Sequence, residues 1–161
     1  MKKIITKAFL LVLVLTVLPL TACSQKRMLS ELPSGEGVSK IFISKYMVQL
    51  GAKIGAKEMG EYSHLLDEIT GIEVYSCENA QLKPKVNEIW TKELEKYNAS
   101  ELVAAEEDNE ESYIYLLSKD KDGTEPIGLA IVSSDKNEMN IVVIQGEINL
   151  DAVAELISQV K

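Results

Sequence analysis

Tyr113-Ile-Tyr-Leu-Leu117, Ile127-Gly-Leu-Ala-Ile-Val132 and Ile141-Val-Val-Ile144 are short apolar runs rich in β-branched and aromatic residues, and they decide the fold. Leu102-Val-Ala-Ala105 is a fourth such run just upstream. Turn-like polar stretches, 106–111, 119–126 and 133–140, separate the four. Four strands joined by short loops make an antiparallel meander. Tyr113/Tyr115/Leu117 and Ile114/Leu116 are apolar on both sides of one strand, as are Ile141/Val143 and Val142/Ile144. Such strands belong inside a sheet, with both faces at least partly covered.

Upstream of the meander, Leu82, Val86, Ile89, Trp90, Leu94 and Tyr97 form one continuous stripe at helical spacing. The spacing predicts a helix over about 82–97, with Pro84 tolerated only in its first turn and Trp90 buried against the sheet. Lys40-Ile-Phe-Ile-Ser44 reads as a first strand, and Gly71-Ile-Glu-Val-Tyr-Ser76 alternates as another, with Ile72 and Val74 on one side. Between them, residues 45–57 place Met47, Leu50 and Ile54 on a helical stripe weakened by Gly51 and Gly55, and 61–68 adds a helical turn or two. After the meander, Asn149 can cap a last helix over 150–160 with Leu150, Val153, Leu156, Ile157 and Val160 as its stripe.

The fold class that follows is α+β: an antiparallel sheet of about five or six strands, ending in the four-strand meander, with helices packed mainly on one face. Helices 82–97 and 150–160 are expected side by side on that face. Residues 45–68 are left to cover the other, and any apolar patch they leave bare is the best candidate for a partner or dimer surface.

The N-terminus carries an address. Lys2, Lys3 and Lys7 precede the aliphatic run Ala8 to Leu20, and Leu20-Thr21-Ala22 leads into Cys23. That order is a secretory signal, and the run falls short of the roughly 18 residues a membrane-spanning helix needs. Leucine three positions before a cysteine that follows a small residue resembles the lipobox of bacterial lipoproteins. The resemblance implies cleavage before Cys23 and lipid on its sulfur and its amino group, that is, a diacylglycerol and a fatty acyl chain such as palmitate. The expected division is a signal peptide at 1–22, a flexible tether at 23–37 containing Pro33, Gly35 and Gly37, and a single domain at 38–161. The expected location is the cell envelope, lipid-anchored to the outer membrane on its periplasmic face.

Charge narrows the function further. The chain has 17 Lys+Arg against 25 Asp+Glu; loss of three lysines with residues 1–22 leaves 14 against 25, a balance of −11. An acidic surface with no basic stripe excludes nucleic-acid binding. Cys77 would lack a partner once Cys23 is acylated, and it reads as a small buried apolar residue near a strand end.

Few constellations could carry chemistry. His64, the only histidine, stands with Glu61, Asp67 and Glu68 at helical spacing, but no second histidine completes a metal set, so a solvated polar face is expected. Glu106-Glu-Asp-Asn-Glu-Glu111 could attract a calcium ion, yet a charged hairpin loop explains it as well. Asp120-Lys-Asp122-Gly123 resembles the start of an EF-hand loop, but Leu129 falls where that loop needs a bidentate glutamate, so it reads as a turn. No nucleophile–base motif or phosphate loop is present. Hence no catalytic, metal or cofactor-binding residue is assigned and no cofactor is expected; Cys23 alone is named, as the lipidation site.

Lys40-Ile-Phe-Ile-Ser-Lys-Tyr-Met47, Tyr97 to Val103 and Ile141 to Asp151 together resemble a family of Bacteroides-type lipoproteins catalogued as domain of unknown function 4252. The resemblance covers about 38–160 and implies a lipoprotein address and a small α+β domain, with no active site to carry over. The expected function is a membrane-anchored, non-enzymatic binding, sensing or interaction module with an envelope protein as a candidate partner. The alternative is an envelope hydrolase using paired carboxylates.

Overall fold

A computed structural model of the chain describes residues 27–59, 67–107 and 109–149. Six strands form one antiparallel sheet: β1 (Val38–Ser44), β2 (Ile69–Cys77), β3 (Ser100–Glu107), β4 (Glu110–Ser118), β5 (Pro126–Ser134) and β6 (Met139–Gly146). Helix α1 (Lys45–Met59) follows β1, α2 (Lys83–Lys96) follows β2, and a 3₁₀ turn (Met28–Glu31) precedes β1. The sheet order is β1-β2-β6-β5-β4-β3, so the expected meander forms and its last strand pairs back onto β2. That pairing leaves β1 and β3 as the edges and the doubly apolar β4 and β6 inside.

One sheet face carries the main core. Tyr75, Cys77, Leu117, Ala130, Val132, Ile141 and Val143 are buried there with Val86 and Trp90 of α2. Leu82, Ile89, Leu94 and Tyr97 pack around them, so the predicted α2 stripe is the buried one. The last helical turn ends at Asn98, whose φ of +43° is a left-handed position asparagine tolerates. Its side chain then donates to the carbonyl oxygens of Ser118 and Lys119, tying the helix end to β4. Cys77 is free, buried, and ends β2, as its sequence context suggests.

Two expectations change, and one is refined. Residues 23–37 do not hang as a tether along their length: Met28, Leu29 and Leu32 belong to the core. Removing such side chains from water is worth about 1.5–3 kcal/mol each, which a free linker would forgo. Among the described residues, the folded part therefore reaches back at least to Met28, ten residues before Val38. The alternation of β2 is as expected, with Ile72 and Val74 sharing one side, and the structure adds that this side is half-buried while Gly71, Glu73, Tyr75 and Cys77 are buried. In α1 the buried pair is Val48 and Ala52, and the predicted stripe of Met47, Leu50 and Ile54 points to solvent, 58%, 50% and 76% exposed. The helix is present, but its packing face is set by where β1 delivers it against β1 and β2. Residues 1–26, Cys23 among them, His64 and the expected helix over 150–160 lie outside the described residues.

Two substitutions check this architecture. Trp90 is 3% exposed, so its emission should be blue-shifted, and Trp90→Ala should cost about 3–5 kcal/mol of unfolding free energy. Gly146 has φ +152°, and a Cβ there would stand 2.3 Å from the Glu68 carbonyl oxygen. Gly146→Ala should therefore lower the urea midpoint clearly, whereas Gly51→Ala, with open space around it, should hold or raise it.

Candidate functional site

The most unusual chemistry among the described residues is at Glu73. Its side chain emerges from β2 on the core face and is only 4% exposed. The Met28 and Leu29 amides donate to its two carboxylate oxygens at 2.7 and 3.0 Å, and the Gln145 side-chain amide donates at 2.7 Å. A buried carboxylate is costly unless it is hydrogen-bonded, and the first amides of a helical turn have no partner of their own. Each need answers the other, and the turn's N-terminal dipole favours the negative charge.

The same segment is fastened at three further points. The Lys40 ammonium donates to the Leu32 carbonyl. The Tyr75 hydroxyl donates to the Pro33 carbonyl at 3.1 Å. The Arg27 guanidinium lies 4.3 Å from the centre of the Phe42 ring, a cation–π contact at the end of β1. Burial, with Cys77 beside it, pushes the Tyr75 hydroxyl up to about 12, so it remains a donor across the physiological range. Arg27, Leu29, Ser30, Lys40, Phe42 and Glu73 enclose a hollow of about 270 Å³ around this seat.

A second concavity, about 290 Å³, lies between α2 and strands β4, β5 and β6. Trp90, Tyr113, Tyr115 and Met139 line it, with Lys83 and Glu111 at its polar end. The Tyr113 and Tyr115 rings are 5.9 Å apart and nearly parallel, a flat apolar wall. Neighbouring Glu111 pushes the Tyr113 hydroxyl upward, and burial does the same for Tyr115. A hydrolase using paired carboxylates would need two in one cleft, and among the described residues Glu111 is the one carboxylate lining this cleft. An open depression at the foot of β5 and β6 holds two, Glu125 and Glu147, and Glu125 lies 3.7 Å from the Lys119 ammonium.

The acidic stretch 106–111 is a hairpin: Glu106 faces Glu111, and Glu107 faces Glu110. Asn109 takes the left-handed conformation at the turn, φ +74°, and Asp108 lies outside the described residues. Asp120 accepts from the Thr124 amide, the Thr124 hydroxyl and the Glu125 amide, so its loop is closed as a turn. The Thr124 hydroxyl above all, with these amides, holds Asp120 down at about 2, against an ordinary value of 3.8. Its contribution to the turn is present above 3.8 and lost as pH falls through about 2. Among the described residues no cluster of three His, Cys, Asp or Glu side chains is placed to hold a metal ion, and no helix is long and apolar enough to cross a membrane.

Sequence reasoning missed Glu73 and the exposed α1 face. A glutamate inside the alternating β2 stretch is the only signal that could have found the first. The family model described as Domain of unknown function (DUF4252) matches residues 34–156. No curated protein and no solved structure matches the chain.

Replacing Glu73 isolates the seat. Glu73→Ala strands two backbone amides and should cost about 1–3 kcal/mol by urea denaturation, with new protease cleavage between Met28 and Pro33. Glu73→Gln keeps one acceptor oxygen and should fall between the two. A Glu73→Ala protein as stable and as protease-resistant as the parent would remove Glu73 from this role.

Proposed function

The chain belongs to the DUF4252 family, and from that premise we propose that it is a lipid-anchored envelope protein whose domain is a non-enzymatic interaction module. Cys23 is the anchor, lipid-modified after removal of residues 1–22, and the periplasmic face of the outer membrane is the location favoured by the absence of acidic residues in Ser24-Gln25-Lys26-Arg27 after Cys23.

The observation that carries the reading is the exposed apolar face of α1. Tyr46, Met47, Leu50 and Ile54 are 82%, 58%, 50% and 76% exposed on one side of one helix, with Ile41 of neighbouring β1 53% exposed. Contiguous exposed apolar surface marks an interaction site more often than a catalytic one. Among the described residues, the cleft beside α2 is lined by a single carboxylate, Glu111, and the most buried carboxylate, Glu73, spends its oxygens on backbone amides and Gln145. Both features support a binding role over hydrolysis.

The anchor is tested by Cys23→Ser. The variant should accumulate as an unprocessed precursor or leave the membrane fraction after cell breakage. A processed variant that fractionates like the parent would refute lipidation at Cys23.

A further inference from the structure

The sheet separates charge between its two edges. Residues 38–59, which make β1 and α1, hold four lysines and one glutamate, a balance of +3. Residues 99–118, which include β3 and β4, hold six acids and no basic residue. These segments occupy opposite ends of the strand order, so five strand spacings, roughly 24 Å, lie between the outermost strands. In a protein that is acidic as a whole, this basic region also carries the five most exposed large apolar side chains among the described residues, Ile41, Tyr46, Met47, Leu50 and Ile54, ahead of Leu102 and Val103 on the acidic edge.

Arg27, the first described residue, lies at that same region. Arg27 stacks on Phe42, and α1 begins three residues after Phe42, at Lys45. Cys23 precedes Arg27 by four residues, which span at most about 14 Å when fully extended. A lipid on Cys23 therefore brings the bilayer to the root of α1. The N-terminal segment cannot simply pay out more chain, because Glu73, Lys40 and Tyr75 hold Met28 to Pro33 on the sheet.

We propose that the outward face of α1 docks on the lipid surface in which Cys23 is anchored. Met47, Leu50 and Ile54 enter the headgroup–acyl boundary, Tyr46 sits at the interface, and Lys45 and Lys53 meet anionic headgroups. A helix with exposed apolar residues flanked by lysines is the form that lies in an interface, and aromatic rings favour that depth. The acidic β3–β4 hairpin at the far edge is repelled by the same headgroups, so charge and anchor orient the domain in one sense. The occupant is a lipid surface, because the anchor delivers a bilayer to this face and its lysines match anionic headgroups. This docking rests on the anchor proposed above.

The test uses the lipidated protein in vesicles of phosphatidylethanolamine and phosphatidylglycerol. One fluorophore is attached at Leu50→Cys, or at Glu107→Cys on the far hairpin as reference; Cys77 is buried and does not compete. Flotation with the vesicles reports the anchor, and quenching reports the helix. The expected result is at least twofold stronger quenching by doxyl-labelled lipid at position 50 than at 107, with position 50 protected from aqueous iodide. Leu50→Glu with Ile54→Glu should abolish the lipid quenching of a label at Tyr46→Cys without preventing flotation. A protein that floats while position 50 is as open to iodide as 107 would overturn the docking alone. Protection from iodide without lipid quenching would mean a protein partner or a second copy on α1, and would also overturn it. Failure to float would refute the anchor and the docking together.

Discussion

The carboxylate of Glu73 accepts hydrogen bonds from the Met28 and Leu29 amides inside the molecule, and the placement of Met28 to Pro33 on the sheet follows from it. Without that acceptor the first turn would carry unpaired buried amides, and without the turn Glu73 would be an uncompensated buried charge. The pair is mutually enforcing, so it behaves as a latch. Met28, Leu29 and Leu32 then complete the core beside Tyr75 and Trp90, adding apolar burial that the strands and α2 cannot supply alone.

Because the latch lies at the β1 side of the sheet, it also decides which part of the domain stands nearest to whatever holds the N-terminus. That part is basic and carries exposed apolar residues on α1; the opposite edge is acidic and its strand β3 is exposed along its whole length. An edge strand with Glu101, Glu106 and Glu107 and a bulge between Glu101 and Val103 is protected against pairing with another chain. The β1 edge has weaker protection, with Ile41 exposed and Lys40 turned to the Leu32 carbonyl. The asymmetry suits a domain that presents one side to a surface and the other to water.

The elements were legible where periodicity was strong. The stripe from Leu82 to Tyr97 gave α2 and its buried face, and the runs ending at Ile144 gave the meander. The insertion of β6 beside β2 was not legible, since that pairing joins residues such as Val74 and Val142 that no local pattern links. The face of α1 follows apolar content in the sequence and differs in the structure, while the alternation of β2 is present but gives no sign that its buried side carries a charge. In β2 a glutamate occupies the core side because its partners lie 45 residues earlier in the chain. In α1 the small residues Val48 and Ala52 fit against the sheet, while the larger Met47, Leu50 and Ile54 are left outside. Binary patterning assumes that apolar means inward, and it fails where a buried charge is satisfied at long range or where an apolar face is kept for something else.

The latch is best tested by amide hydrogen exchange resolved to single residues. Hydrogen bonds to a buried carboxylate should slow exchange at Met28 and Leu29 to rates within the range of the β2 and β6 core amides, and Glu73→Ala should release both while leaving β4–β5 pairing protected. Exchange at Met28 and Leu29 as fast as in an unstructured peptide would contradict the account, because the segment before β1 would then be the free tether that its composition suggests.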